Sequence, residues 1–303
     1  MDAGGVGRMD NMRGIVLMVL AMAAFAVEDM FIKRLSADLP TGQILILIGA
    51  GGTLAFAAAT LRQRAPLVSR DMLLPPVVLR NLGELVGTVG FVTALALVPL
   101  STASAILQAM PLAVTFGAAV FLGAEVGWRR WSAILVGFAG VLLIIRPGLA
   151  GFQPASLFAV LGVAGLALRD LATRRVPARV STLHLSAYAF ATVVVAGLVL
   201  LALGGPMQSP SGENWRDLGL ALGVGTLAYA AITAALRTGD IAVVAPFRYT
   251  RLVFALALGA LVFGERPDAA TLAGAALIVG SGIYTILRER RLARGLSSPA
   301  RLG

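Results

Sequence analysis

Apolar runs of about 20 residues recur along the chain, parted by short stretches that carry Arg, Asp, Pro or Gly. A helix needs about that many apolar residues to cross a bilayer. The runs at 14–34, 41–61, 72–97, 102–123, 128–146, 155–175, 181–204, 215–236, 241–264 and 269–287 predict an all-α integral membrane fold of ten transmembrane helices. Only Val98 to Ser101 part the third run from the fourth, so that turn is tight. A nine-span alternative takes Arg8, Arg13, the apolar run after Gly14 and the Ala21-Met22-Ala23 triplet as a signal peptide. The first run has a counterpart later in the chain, which favours keeping it as a helix.

Composition agrees and narrows the chemistry. Of 303 residues, 58% are hydrophobic and 13% charged, against about 45 to 50% and about 25% in a soluble domain; mean hydropathy is +0.88. Ten spans occupy roughly 200 residues, which excludes a large extramembrane domain. The chain has no Cys and a single His, His184. Disulfides, thiolate metal sites and cysteine nucleophiles are thereby excluded, and the lone His argues against a metal cluster or a Ser/His/Asp triad. No GxGxxG or P-loop pattern follows a predicted strand, so no cofactor, no metal and no ATP-driven step are expected.

The net charge of +10 gains meaning only when placed against the bilayer. With the N-terminus cytoplasmic, sixteen of the Lys and Arg residues fall in cytoplasmic segments. Five (Lys33, Arg34, Arg146, Arg216, Arg266) fall outside, and four (Arg80, Arg169, Arg248, Arg251) fall within predicted helices. That asymmetry follows the positive-inside rule. It predicts cytoplasmic termini, a bacterial inner-membrane location and the lipid bilayer, with no nucleic acid, as the partner of the basic surface. Trp128, Trp131 and Trp215 flank span ends as interfacial anchors, and His184 lies near a span start.

The two halves of the chain resemble each other. AFAVEDMFIKR at 24–34 aligns without gaps on GLALRDLATRR at 165–175, matching Ala26 with Ala167, Asp29 with Asp170 and Lys33-Arg34 with Arg174-Arg175. FLGAEVGWRRW around Glu125 and LVFGERPDA around Glu265 close the fourth and ninth helices, and Gly137 and Gly274 follow in the next. Five helices per repeat is an odd number, so the halves insert in opposite orientations, as in many secondary transporters. The expected division is a first repeat over 1–150, a second over 151–290 and a basic cytoplasmic tail over 291–303.

With their Gly123-Ala124-Glu125 and Gly264-Glu265 turns and Gly-rich last helices (Gly137 and Gly140; Gly274, Gly280 and Gly282), these halves resemble the drug/metabolite transporter superfamily, EamA branch. Within it the chain looks closest to bacterial amino-acid and metabolite exporters. The resemblance implies ten helices, a central cavity and alternating access. It also implies proline in the fourth helix of each half. Pro111 fits, but its counterpart is Arg251, so a cation stands where a hinge is expected.

Ionisable groups inside a span cost about 2.5 to 3.5 kcal/mol each on insertion scales, so they face the bundle interior and are functional candidates by default. Eight qualify: Glu28, Asp29, Glu84, Asp170, Arg80, Arg169, Arg248 and Arg251. Arg80 and Glu84, four apart, share a helix face and can pair, with Asn81 beside them; alternatively, Glu84 meets a substrate ammonium or carries a proton. Arg248 and Arg251, flanking Tyr249, form the candidate anion site, because a guanidinium grips carboxylate or phosphate in a fork; alternatively, they lock helices by pairing with Glu84 or Asp170. Glu28 with Asp29, and Arg169 with Asp170, occupy equivalent positions toward opposite membrane sides, as gate elements or as plain helix-end charges. Gln108 and Pro111 fall mid-way along the fourth helix, where proline frees a carbonyl. Tyr229 and Thr233 on the eighth can wall a cavity, though ordinary packing serves equally well. The glycine clusters Gly49-Gly51-Gly52 and Gly137-Gly140 read as close-packing surfaces.

The inventory points to a secondary-active or facilitative transporter that exports a small polar or zwitterionic metabolite, amino acids foremost, and not to an enzyme. Phosphorylated or nucleotide-like anions and organic cations (drug efflux) are the alternatives. A membrane-embedded enzyme of lipid-linked substrates would need a nucleophile/base pair or a catalytic loop, and the sequence offers neither. Proton coupling would require a titrating carboxylate, Glu84 or Glu28.

Overall fold

The structure is a computed structural model that describes residues 3–62, 70–124, 126–149, 151–177, 179–238 and 241–296. It is helical throughout. The helices are α1 (Ala3–Leu35), α2 (Thr41–Arg62), α3 (Pro75–Leu97), α4 in two segments (Leu100–Leu107 and Met110–Leu122), α5 (Trp128–Ile145), α6 (Ser156–Thr173), α7 (Thr182–Gly204) and α8 (Gly212–Thr238). Then follow α9, in three pieces (Ile241–Val244, a 3-10 turn Ala245–Tyr249, and Thr250–Phe263), and α10 (Ala269–Leu296). Among the described residues, nine of these pass tests of span length and hydropathy; α8, of 27 residues, completes the bundle. The third run starts later than the sequence suggests: Arg70–Leu73 is a short 3-10 turn, and Pro75-Pro76 open α3, where the first turn tolerates a missing N–H. The expected basic tail is a continuation of α10 as far as Leu296, and the rest of it lies outside the described residues.

The halves interlock as an inverted repeat should. α3 packs along α6 and α1 along α8, α2 along α7 and α5 along α10, while the last segment of α9 meets α1 and that of α4 meets α6. Exchanging α1 with α6, α3 with α8 and α4 with α9 maps this contact set onto itself. The ends of α4 and α9 repeat the same backbone motif. Gly123 (φ 65) and Gly264 (φ 64) adopt the left-handed conformation, and the next residues, Ala124 and Glu265, donate N–H bonds of 3.1 and 2.9 Å to Ala118 and Gly259. That is a Schellman closure, which glycine alone enters without steric cost.

Lipid tails are as apolar as leucine, so helices in a membrane associate through close packing rather than hydrophobic burial. Between α3 and α6 the approach is backbone to backbone: a Cβ on Gly165 would lie 2.2 Å from the Gly87 nitrogen, and one on Gly83 would lie 2.5 Å from the Arg169 nitrogen. Gly140 and Gly274 do the same between α5 and α10. This approach brings Arg169 against α3, and so sets the position of the charged site.

Both α4 and α9 are broken mid-way. In α4, Gln108 shares its N–H between the Ser104 and Ala105 carbonyls at 3.3 Å each, Ala109 bonds to Ile106 at 3.0 Å, and the helix restarts at Met110-Pro111. In α9 the break is set by Pro246, at the start of the 3-10 turn, not at Arg251. The proline missing from the aligned position is supplied about one turn earlier, so both halves carry a discontinuous fourth helix.

Candidate functional site

Two ends of the bundle can be told apart: the one at which α1 begins and α10 ends, and the opposite one, formed by the turns after α1, α3, α5, α7 and α9. The intramembrane charges lie between them and sort into two neutral networks and two remainders. The first network runs Arg80, Glu84, Arg169, Asp170. Arg80 Nη2 lies 3.2 Å from Glu84 Oε2, Arg169 Nη1 lies 3.5 Å from Glu84 Oε1, and Arg169 Nη2 lies 2.9 Å from Asp170 Oδ1. Arg80 also donates to Asn81 Oδ1 at 3.0 Å. Arg80 and Glu84 are buried, 7% and 9% exposed, and Arg80 Nε has no acceptor among the described residues. The (i, i+4) pair expected from sequence is thus present and joined by α6, so Glu84 is held between two guanidinium groups.

The second network joins α9 to α1. Arg251 Nη2 and Nε donate to Asp29 Oδ2 at 2.6 and 3.1 Å. The guanidinium carbon lies 5.1 Å from the Phe25 ring centroid and 5.8 Å from that of Phe91, within cation–π range of both. Asp29 is 3% exposed. Arg248 and Arg251, paired in the sequence reading as one anion site, therefore part company: Arg251 is committed to Asp29.

Arg248 and Glu28 remain. Among the described residues no carboxylate lies within ion-pair distance of the Arg248 guanidinium, and its side chain makes no hydrogen bond. It sits at the break of α9, and its backbone carbonyl accepts a 3.4 Å bond from Gln108 Nε2 at the break of α4. Asp170 and Arg169 of the first network are within electrostatic range of it. Discontinuous helices meeting near mid-membrane are the usual setting of a transporter's binding site. The Tyr249 hydroxyl is buried against Gly282, where a Cβ would lie 1.7 Å off, and has no hydrogen-bond partner among the described residues. Glu28 likewise makes no hydrogen bond or ion pair among the described residues, and its carboxylate rests on Gly225 of α8.

The other candidates take ordinary roles. Tyr229 accepts a 3.1 Å bond from Ser186 and packs edge-on to Phe56 at 5.8 Å, while the side chain of Thr233 and the whole of Glu125 lie outside the described residues. Pro111 opens the second segment of α4. His184 caps its own helix with Ser181, whose Oγ accepts the His184 N–H at 3.2 Å. Trp128 and Trp215 are exposed as anchors should be, but Trp131 packs edge-on to Phe116 at 5.9 Å. No three metal-ligating side chains converge among the described residues.

Sequence reasoning missed the contacts that close the opposite end. Glu265 accepts N–H bonds from Leu100 at 2.5 Å and Ser101 at 2.9 Å, so a carboxylate of the second half caps α4 of the first. Lys33 donates to the Leu95 and Val98 carbonyls at 3.1 and 2.5 Å. Arg146 chelates Asp268 across the halves, and Arg34 meets Asp217 at 3.1 Å. A cavity of about 340 Å³ opens at this end, lined by Ser101, Thr102, Arg146, Glu265, Asp268 and Thr271 among others; none of the eight intramembrane charges lines it. In the sequence Glu265 and Lys33-Arg34 read as repeat matches and Arg146 as an outside charge, with no signal of the partners they take.

Comparison with known proteins agrees with the geometry. The profile of the EamA-like transporter family matches twice, at 12–146 and 153–288, segments that begin 141 residues apart. The chain is 31% identical over 278 residues to the pseudopaline exporter CntI of Pseudomonas aeruginosa PAO1, covering 88% of this chain and 93% of that protein. It is 27% identical over 214 residues to the S-adenosylmethionine uptake transporter of Rickettsia bellii, covering 71% and 73%. It is 33% identical over 198 residues to the riboflavin transporter of Vibrio cholerae, covering 65% and 66%. One solved crystal structure superposes with a TM-score of 0.59 at 24% identity over 96% of this chain and 99% of that one, a likeness of fold.

Proposed function

Because this chain belongs to the EamA-like transporter family, and is a multi-pass membrane transporter of a small metabolite, we propose that its substrate is a carboxylate-bearing zwitterion, with amino acids foremost, and that it moves the substrate outward. The orientation proposed is that of the positive-inside bias: bacterial inner membrane, both termini cytoplasmic.

The observation that carries this reading is Arg248. Of four guanidinium groups within the helices, three are discharged by carboxylates of the protein, and the fourth, at the junction of the two broken helices, has no carboxylate partner among the described residues. A free guanidinium in a low-dielectric site recognises a carboxylate through paired, charge-assisted hydrogen bonds. The zwitterion's ammonium can then face Asp170, whose ion-pair partner is Arg169, since Glu84 is held by both Arg80 and Arg169. In this reading Arg80, Asn81 and Gln108 shape the cavity. The Arg251–Asp29 and Arg169–Asp170 groups are gate elements, with Pro111 at the flexible joint, and alternating access exposes Arg248 to each side in turn.

Pseudopaline export by one relative supports the outward direction, whereas uptake of S-adenosylmethionine by another supports the substrate class, since that molecule has an amino-acid head. The test is counterflow: proteoliposomes loaded with one unlabelled amino acid at a time should take up the labelled compound, and Arg248→Gln should weaken that uptake strongly at low substrate concentration. S-Adenosylmethionine and riboflavin form a second arm, because named relatives carry them. No counterflow with any amino acid, from protein shown to be folded, would refute the amino-acid reading.

A further inference from the structure

Under the exchange of α1 with α6 and α3 with α8, the sequence offset of 141 carries Glu28 onto Arg169 and Gly225 onto Glu84. The structure honours that correspondence. Arg169 meets Glu84 at 3.5 Å, and in the related place Glu28 meets Gly225, whose Cβ, were there one, would lie 2.3 Å from Glu28 Oε1, 2.6 Å from Cδ and 3.0 Å from Oε2. One interface thus holds a cation against an anion. The other holds an anion against a bare glycine.

We infer that Glu28 is the proton-coupling site of this transporter: a carboxyl that loads and releases one proton per cycle where the pseudo-symmetric position holds a fixed ion pair. The inference deepens the transport reading and rests on it. Loading forms one O–H bond on a carboxylate oxygen and leaves a neutral group; release restores the anion.

Three observations converge on Glu28 rather than Glu84. Glu84 is already clamped by Arg80 and Arg169, so a proton there would have to displace two guanidinium groups. Among the described residues no cation pairs with Glu28: Arg251 is within electrostatic range of it, but its guanidinium is bonded to Asp29. On α1 its neighbour is Asp29, an anion; on α9, Arg251 is spent on Asp29, and Arg248 is within electrostatic range of Asp170 and Arg169; α8 presents Gly225, with Arg216 and Asp217 engaged near its start; of the charges of α3, Arg80 pairs with Glu84 and Glu84 with Arg169 of α6. Ligand supply decides the rest: metal cations need several oxygen ligands, and among the described residues no group of three acidic or other metal-ligating side chains gathers at Glu28. An uncompensated carboxylate inside a membrane protein is costly, and a proton is the one partner that discharges it without further ligands.

The test needs no substrate for its first arm. In the full-length protein reconstituted in lipid, infrared difference spectra across a pH titration should show a protonated-carboxyl band that is lost in Glu28→Gln and kept in Glu213→Gln, an exposed control. Gly225→Ala should move the titration midpoint, because the new methyl displaces the carboxylate. The second arm uses proteoliposomes and an amino acid that gives counterflow: Glu28→Gln should keep counterflow and lose accumulation driven by a pH gradient. A band that survives Glu28→Gln, or pH-driven accumulation that survives it, overturns the inference. Failure of every amino acid to give counterflow would refute only the amino-acid reading, since the infrared arm would still decide whether Glu28 takes a proton.

Discussion

Replacing Arg248 by Gln separates a binding role from a structural one, because the structure gives the two roles different signatures. The Arg248 guanidinium makes no contact with a carboxylate among the described residues, so its removal leaves no carboxylate of the protein bereft. The unfolding midpoint of purified protein in detergent should stay where it is. If the guanidinium instead binds the substrate carboxylate, the variant forfeits charge-assisted hydrogen bonds of about 1.5 to 3 kcal/mol. At about 1.4 kcal/mol per tenfold, the half-saturation concentration for counterflow should rise by roughly ten- to a hundredfold. Arg248→Lys keeps the charge but loses the fork, and should fall between wild type and Gln. The contrast is Arg251→Gln, which strands the buried Asp29 carboxylate (3% exposed); breaking a buried pair costs about 3 to 5 kcal/mol and should lower the unfolding midpoint clearly. An unchanged half-saturation in Arg248→Gln, or a loss of stability equal to that of Arg251→Gln, would refute the assignment.

Other consequences follow at the interfaces between halves. Gly165→Ala places a methyl 2.2 Å from the Gly87 nitrogen; overpacking of this kind costs about 1 to 3 kcal/mol, and the yield of folded protein by size-exclusion chromatography should drop, while Gly219→Ala, where a Cβ meets nothing, should be silent. Glu265→Ala removes the cap from α4 and should lower thermal stability by about 0.5 to 2 kcal/mol, the range for a lost helix cap. Asp268 lies outside the spans, and its carboxyl is held well below the usual range by Arg146 first and then by the Thr271 backbone N–H. Its contribution is therefore complete above the ordinary Asp value of about 3.9 and is lost as pH falls through the lower folded value. Wild type should lose stability in that acid window and Asp268→Asn should not, by a small margin, because the Asp268 side chain is 53% exposed and screened.

The spans were legible because a bilayer enforces length and hydropathy on every crossing segment, and nine of ten predicted starts fall within three residues of the observed ones. The Arg80–Glu84 pair was legible too, since spacing by four fixes a shared helix face. Arg251 with Asp29 was not: 222 residues separate them, and spacing says nothing about which helix packs opposite. Pro246 reads in the sequence as a helix breaker, but the repeat alignment puts the counterpart of Pro111 at position 251, about one turn away. Gly225 had no signal of its own; only the offset of 141, applied to Glu84, points to it. The caps at Glu265 and Lys33 depend on how the two halves dock, which a linear charge pattern does not encode.

The same sorting of charges bears on how the carrier turns over. Six of the eight intramembrane charges cancel within the protein, so the penalty of moving charge through the barrier falls on Arg248 and Glu28. An empty carrier must reorient with Arg248 unpaired, and each bare intramembrane charge costs about 2.5 to 3.5 kcal/mol. A carrier with a carboxylate on Arg248 avoids that cost. If about half of one such penalty enters the barrier, loaded reorientation outruns empty reorientation by roughly tenfold, by the rate relation of about 1.4 kcal/mol per decade. Exchange should therefore exceed net efflux by about that factor in proteoliposomes. In Arg248→Gln, measured at saturating substrate, the gap should shrink because the neutral side chain crosses without penalty. Equal rates of exchange and net efflux in the wild type would show that Arg248 is discharged in the empty state by a group that the resting arrangement does not bring to it.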